Sequence, residues 1–452
     1  MEPDHLPNDT GARGRWPARH RRPTLRRGLG PAVAALIILP AAACTSSAAG
    51  PSSTIAAGSP WSGAFATVVL PTPVNSLAAV DCPTDTSCLA VGSTAGSAGV
   101  PNGAAVIATT DGGATWASQV IPATAGYLSG ISCSDQRDCV AVGQATQSAD
   151  GLAAVIATTD GGRSWQARPV PPGFLDVTAV SCRADHRCIA VGDVAGGAAV
   201  LSSASGGSAW VQRGALPPGV SGATGVSCSD DVHCWVTARR APDPYHVAGV
   251  VALTSDGGST WTVLPTPTGI GYLNGISCRG SAAGNGALPF SSTSRPDPAA
   301  GQAGATPNAT TASTVAPTAS TATTAPVVVG VAGVHCTVVG TTSDTPDMAR
   351  TGRGVILTTG NGGAAWSART VPASSASLTG VSCTAIDSCV MVGSTVSTSA
   401  RAGSVILTGP TGSQWKRTAE VDAPQPLTGV SCLSQSRCVV VGESISEHLV
   451  AD

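Results

Sequence analysis

The chain has 452 residues, of which 3% are aromatic and 11% charged, and its formal net charge is -2. So few large side chains exclude a bundle of amphipathic helices and leave short strands and turns built on Ala, Val, Gly, Ser and Thr. Beyond Cys44 the 17 basic residues are outnumbered by 23 acidic ones, so the basic footprint that nucleic-acid binding needs is missing.

Residues 1–43 read as an export signal. Seven arginines (Arg13, Arg15, Arg19, Arg21, Arg22, Arg26, Arg27) precede the apolar stretch Leu29–Ala43, which ends in small residues. Its apolar core, about 13 residues, is short for a bilayer span and ordinary for a signal peptide. Leu39–Cys44 (LPAAAC) resembles a bacterial lipobox, with Ala41 where leucine is usual. That resemblance implies a lipid on Cys44 and attachment to the outer face of the cytoplasmic membrane. The other reading is an ordinary signal peptide cut near Ala43, which leaves a free thiol on a secreted chain. Arg21–Arg26 (RRPTLR) resembles a twin-arginine export signal with Thr24 in place of phenylalanine. Residues 44–59 read as a flexible tether and 60–452 as one domain.

That domain is a repeat. Gly130–Gly143 (GISCSDQRDCVAVG) holds two cysteines six positions apart between short apolar runs. The unit returns at Cys82/Cys88, Cys182/Cys188, Cys228/Cys234, Cys383/Cys389 and Cys432/Cys438, and a split copy places Cys278 and Cys336 on either side of an insertion. First cysteines lie 51, 49, 46, 50, 105 and 49 residues apart. Within the Cys133 repeat, Leu128–Cys133, Cys139–Gly143, Ala153–Thr158 and Trp165–Val170 read as four strands. A four-stranded unit at this period is the mark of a β-propeller blade. Tryptophan marks the fourth strand at Trp116, Trp165, Trp210, Trp261, Trp366 and Trp415, and Trp61 precedes the first cysteine pair. The expected fold is all-β: a seven-bladed propeller of four-stranded antiparallel blades. The strand Trp61–Leu70 is expected to complete the last blade, begun by Leu427–Val450, and so to remove its open edge.

The turn Thr109–Trp116 (TTDGGATW) resembles the Asp-box of the bacterial neuraminidase repeat; Thr158–Trp165 and Thr254–Trp261 match nearly as well. Ser205, Asn361 and Thr411 replace the aspartate elsewhere. The chain thus resembles the propellers that include sialidases and photosystem II assembly-factor-like proteins. Asp111, Asp160 and Asp256 are expected to hold their turns together rather than to bind calcium or catalyse.

Each cysteine pair flanks the hairpin between first and second strands, where antiparallel partners come close enough for a disulfide that persists outside the cytoplasm. The expected bonds are Cys82–Cys88, Cys133–Cys139, Cys182–Cys188, Cys228–Cys234, Cys278–Cys336, Cys383–Cys389 and Cys432–Cys438. His186, His233 and His335 lie near cysteines, but two cysteines and one histidine fall short of a structural zinc site, so no metal is expected. Residues 279–335, inside the fifth blade, are rich in Thr, Ala and Pro and read as a disordered insertion with the composition of an O-glycosylated segment.

Resemblance to sialidases implies an arginine triad, a tyrosine–glutamate pair and an aspartic acid, and the sequence does not supply that set. No catalytic residue and no cofactor is nominated. A hydrolase site would show as two carboxylates and an arginine cluster converging in the channel, opposite the Asp-box face. Tyr127, Phe174 and Tyr272 read as one recurring inter-blade position on that opposite face. The loop Arg239–His246 adds Arg239, Arg240, Tyr245 and His246 to this candidate ligand face. The expected function is a non-catalytic binding or scaffold module for a protein or polysaccharide of the cell envelope, held to the membrane by its lipid. A degenerate sialidase-like glycoside hydrolase is the alternative.

Overall fold

The computed structural model describes residues 66–68, 70–95, 103–148, 151–243, 246–280, 330–342, 353–369, 371–372, 375–386, 388–395, 403–409, 416–421, 426–434, 437–442 and 444–445, with the backbone of 33–34 and 36–38. Trp61, Trp415, Tyr245, Cys44, the tether and most of the insertion lie outside the described residues.

The described chain is all strand and turn. Sector 1 uses Val74–Asp81, Cys88–Thr94, Ala104–Thr109 and Ala117–Ser118, paired in that order. Sector 2 uses Ala125–Cys133, Cys139–Ser148, Gly151–Thr158 and Gln166–Ala167, and sector 3 uses Ala179–Cys182, Cys188–Val194, Gly197–Ser203 and Val211–Ala215. Sectors 4, 5 and 6 open at Val220–Cys228, Ile270–Gly280 and Ser375–Ala385 and repeat the same antiparallel meander.

The expectation of seven closed blades needs correction. Six blades are built, each from four consecutive strands, and a seventh of that kind is not. In its place, among the described residues, the carboxy-terminal chain contributes the hairpin Leu427–Ser434/Arg437–Gly442 to that sheet. The other two places in that sheet are taken by Leu36–Ile38 and Ala66–Val68 from the amino-terminal segment, where a single amino-terminal strand was expected. Ser444–Ile445 leaves the sheet to pair with Val33–Ala34. The reason lies in residues 443–452 (ESISEHLVAD), which carry neither a third-strand run like AAVIAT nor a turn followed by tryptophan.

The hydrophobic core sits between sectors. Trp165 packs with Leu89 and Val91 of sector 1, Trp210 with Val140 and Val142 of sector 2, and Trp261 with Val191 and Val200 of sector 3. The small residues on either side let the sheets approach closely, and each indole fills the remaining gap.

Around the axis the inner strands are joined by one repeated hydrogen bond. The residue before each first cysteine is Ser132, Ser181, Ser227, Ser277, Ser382 or Ser431, and in sector 1 Asp81. Each accepts the backbone N–H of the first cysteine in the next sector. Cys182 N donates to Ser132 Oγ (2.9 Å), Cys278 N to Ser227 Oγ (3.0 Å) and Cys432 N to Ser382 Oγ (3.0 Å). Cys228 N donates to Ser181 Oγ, Cys383 N to Ser277 Oγ and Cys82 N to Ser431 Oγ. Asp81 Oδ2 accepts from Cys133 N at 2.7 Å. A second tier lies above the first: Thr224, Thr379 and Thr428 hydroxyls donate to the carbonyls of Leu273, Leu427 and Leu77 in the following sectors.

The Val-Gly that ends the second-strand motif has a steric cause. The inner strand bulges opposite it, and a Cβ on Gly143 would meet Tyr127 O at 2.0 Å. Gly143→Ala is therefore expected to lower stability by about 3 kcal/mol, the upper part of the overpacking range. Gly280→Ala, where a Cβ meets nothing within 4 Å, should stay within about 0.5 kcal/mol. Chemical denaturation of the two variants checks the contrast, and equal midpoints would contradict it.

Candidate functional site

The cysteine face is largely structural. All seven expected disulfides are present. The cysteines stand directly opposite in register, as at Cys133 and Cys139, and the Cys278–Cys336 bond spans the insertion. The aspartate turns are closed in the same way three times. Asp111 accepts from Thr115 Oγ1 (2.6 Å), Thr115 N (2.9 Å) and Thr109 Oγ1 (2.7 Å), and Trp116 Nε1 donates to Gly113 O. Asp160 and Asp256 repeat the carboxylate bonds with Ser164 and Thr260, and Trp261 Nε1 donates to Gly258 O while Trp165 Nε1 finds no partner among the described residues.

Neighbouring cysteine loops are also tied by charge, Arg183 to Asp231 at 3.4 Å and Arg437 to Asp85 at 3.3 Å. His186 Nδ1 lies 3.1 Å from Asp138 Oδ2 and its Nε2 3.9 Å from Asp135 Oδ2. These last three place one donor atom each within 4.8 Å of one another. Three partly exposed donors fall below the four of a structural zinc site or the six to eight oxygens of calcium, and Asp135 already accepts the N–H groups of Arg137 and Asp138 in its own loop.

The channel mouth on this face holds Asp81 and Arg279. Asp81 is hemmed in by protein, and desolvation pushes its carboxyl up against the opposing pull of the Cys133 and Cys82 N–H groups and the Arg279 charge. Arg279 Nε donates to Cys383 O at 2.9 Å. Among the described residues here there is thus one carboxylate, committed to the inter-sector clasp, not the facing pair that glycoside hydrolysis uses.

The opposite rim differs. Its inner position is the residue whose carbonyl lies beneath the second-strand glycine: Ser76, Tyr127, Asp176, Tyr272, Ser377 and, in the last sheet, Pro426. The next position outward holds Ser93, Gln144, Asp193, Arg239, Thr341 and Ser394. Sector 1 carries two serines, bonded to each other at 2.8 Å, and sector 6 also carries two serines. Sectors 2 to 5 carry Tyr–Gln, Asp–Asp, Gly–Arg and Tyr–Thr. The rim is uniform by architecture and chemically distinct over one arc.

Within that arc Asp193 Oδ1 accepts Gly222 N from sector 4 (2.8 Å), and Asp176 Oδ1 accepts Asp193 N (2.9 Å). Desolvation, then the neighbouring Asp176 charge, push the Asp193 carboxyl up; the Gly222 and Ala223 N–H groups and Arg239 oppose them. Arg239 lies over Gly222, where a Cβ would strike its guanidinium. Tyr127 is 38% exposed and Tyr272 is half-buried.

Phe174 does not belong to this series. Asp176 occupies the position of Tyr127 and Tyr272, and Phe174, two residues earlier, is 3% exposed and packs with Val177 and Val194. Arg240 is half-buried and pairs with Val220. The side chain of His246, like Tyr245, lies outside the described residues. Asp176 stands six residues before Cys182, as Tyr127 stands before Cys133 and Tyr272 before Cys278, and Asp193 stands five after Cys188, so spacing from the cysteines, rather than the aromatic pattern, marks both positions. Trp235, fully buried with Nε1 donating to Gly362 O of sector 5 at 2.9 Å, was also missed, because it falls outside the turn pattern.

No family model matches the chain, and no curated protein matches it. Its fold is that of a propeller. It resembles YCF48 bound to a D1 peptide, with 11% identity and a TM-score of 0.48 over 82% of this chain and 92% of that one. It also resembles YCF48 from Cyanidioschyzon merolae (14%, TM-score 0.45, 83% and 94%) and a Hadza microbial sialidase (12%, TM-score 0.42, 81% and 65%). The chain is thus similar to the YCF48-like and sialidase-like propellers, and at these identities the likeness is one of fold.

The aspartate turns predict an acid response. Hydrogen bonds from Thr115, Ser164 and Thr260 hold Asp111, Asp160 and Asp256 down to about 2. A carboxyl whose value falls on folding stabilises the fold above its unfolded value, near 4, and loses that contribution as pH drops toward 2. Thermal unfolding should therefore weaken between about pH 4 and pH 2. The triple variant Asp111→Asn, Asp160→Asn, Asp256→Asn should flatten that slope; an unchanged slope would count against these turns as its source.

Proposed function

We propose that this chain is an exported, lipid-anchored propeller that binds a partner protein on the rim opposite its cysteine loops and performs no catalysis. The observation that carries the reading is the broken symmetry of that rim. Among the described residues six inner hairpins present both positions, and the aromatic and charged residues there are Tyr127, Asp176, Asp193, Arg239 and Tyr272. Packing cannot explain the choice, because the serines at the same positions in sectors 1 and 6 complete their sectors equally well. Aromatic rings with an adjacent guanidinium are the composition of a protein-binding hot spot.

Seven disulfides fit an oxidising compartment. Among the described residues no helix is long and apolar enough to cross a membrane. A lipid on Cys44 supplies the attachment in this reading. An anchored chain cut before Cys44 does without Leu36–Ile38, so mass spectrometry of the exported protein bears directly on it. A mature chain beginning with lipid-modified Cys44 supports the anchor, and a chain that keeps residues 36–38 removes it.

The Asp176–Asp193 pair, with Asp193 pushed up, favours the hydrolase as the second reading. Both carboxylates, however, accept backbone N–H bonds, Asp193 from Gly222 of sector 4 and Asp176 from Asp193 within sector 3. The rim variant Tyr127→Ala, Arg239→Ala, Tyr272→Ala is expected to lose at least about ten-fold in cross-linking to its partner in the native envelope while its thermal midpoint holds, since losing one hot-spot side chain costs about 2 kcal/mol. Protease treatment of the envelope should abolish the cross-link, and glycan digestion should not. Cross-linking that survives the triple change refutes the rim. Aryl-glycoside turnover lost in Asp193→Asn would establish the hydrolase instead.

A further inference from the structure

On the outer part of sector 2, beside the same rim, lies a half-open cavity of about 290 Å³. One side is the third strand, Ala153–Ile156; the other is the connection Arg168–Phe174, containing Pro169, Pro171 and Pro172. Small side chains open the space, and Leu152 and Leu175, the neighbours in sequence of Ala153 and Phe174, are 44% and 46% exposed. The one charged residue of the lining is Arg168, and its Nε is enclosed with no hydrogen-bond partner.

The other sectors show what is unusual. Arg168 N donates to Val155 O, so Arg168 occupies the fourth-strand position that Leu264 fills opposite Val251 in sector 4 and Arg369 fills opposite Ile356 in sector 5. Leu264 closes that space by packing, at 2% exposure. Arg369 Nε donates to Thr358 Oγ1 at 3.1 Å. In sector 2 the residue equivalent to Thr358 is Ala157, so Arg168 has lost its internal acceptor while keeping its charge. An enclosed, unpaired donor on a guanidinium is costly unless something answers it.

We propose that this cavity is a binding site for a carboxylate carried on a short aliphatic body, the carboxylate pairing with Arg168 and the aliphatic part lying between the alanines and prolines. A monovalent, planar anion matches a single guanidinium. The cavity size and apolar walls suit a small ligand, a short fatty acid or the terminal residue of a peptide chain. The site stands apart from the rim arc and does not depend on it.

Calorimetric titration of the full chain tests it, with hexanoate, hexanol, inorganic phosphate, and a hexapeptide whose carboxyl terminus is free or amidated. Hexanoate or the free-acid peptide should bind, and the stronger of the two identifies the source. Hexanol, the amidated peptide and phosphate should not bind. Arg168→Leu, which installs the residue sector 4 carries there, should fold normally and lose about ten- to a hundred-fold in affinity, the range of one charge-assisted hydrogen bond. Ala157→Thr should weaken binding without removing any group, by returning to Arg168 the acceptor that Arg369 enjoys. Equal binding of hexanol and hexanoate, preference for phosphate, undiminished binding by folded Arg168→Leu, or no binding by any carboxylate would each overturn the assignment.

Discussion

The structure depends on the bond between a cysteine N–H and the serine hydroxyl of the preceding sector. The innermost strand of a blade has no further strand to pair with toward the axis, so its polar backbone groups are the edge problem of this fold. A serine is short enough to reach the adjacent backbone and carries an acceptor that needs no charge. The donating cysteine is also one end of a disulfide, so the residue that holds the next sector is itself fixed within its own hairpin. Asp81 makes the same clasp with a stronger acceptor, at the cost of a desolvated carboxylate that the Arg279 charge and two backbone N–H groups steady.

That clasp explains why a chain so poor in large side chains holds a ring. Its cores lie between sectors and are made of Val, Ala and single indoles, and each pair of sectors brings little apolar area together. The geometry must then be supplied by directional bonds, of which the axis has two tiers, and by staples at the hairpin ends. The second-strand glycine belongs to the same device. It admits the bulge that turns Ser129 and its equivalents toward the next sector, where Ser129 Oγ meets Thr178 O at 3.0 Å.

What the sequence made legible was local. Cysteines six apart and an aspartate four residues before a threonine or serine hydroxyl each express a constraint within one hairpin, and the structure keeps both. The blade count was not local. It rested on tryptophans as markers, and the last sector is completed by backbone from Leu36–Ile38 and Ala66–Val68, which no marker identifies. Phe174 misled for a related reason. The aromatic-Leu pattern of GYLSG reappears as GFLDV, but the connection after Trp165 is longer by two residues than the pattern assumes, so Asp176 takes the rim position and Phe174 turns inward. The roles of Asp193 and Trp235 come from a neighbouring sector, through Gly222 and Gly362 respectively, and such contacts cannot be read within one repeat.

Repetition nevertheless turns the molecule into its own comparison series. Where Ser76 and Ser93 satisfy each other in sector 1, Asp176 and Asp193 in sector 3 repel each other and remain close only because Asp193 N and Gly222 N donate to them. Where Thr358 answers Arg369, Ala157 leaves Arg168 unanswered. In both places the blade plan repeats while the side-chain chemistry has changed in a direction that costs stability. A purely structural repeat would drift toward serine, threonine and leucine at these positions, as its sister sectors have. Residues that keep a repulsive pair or an orphaned charge against that drift are the ones whose presence the fold alone does not account for. They fall on the neighbouring sectors 2 and 3, at the end of the strands away from the clasp.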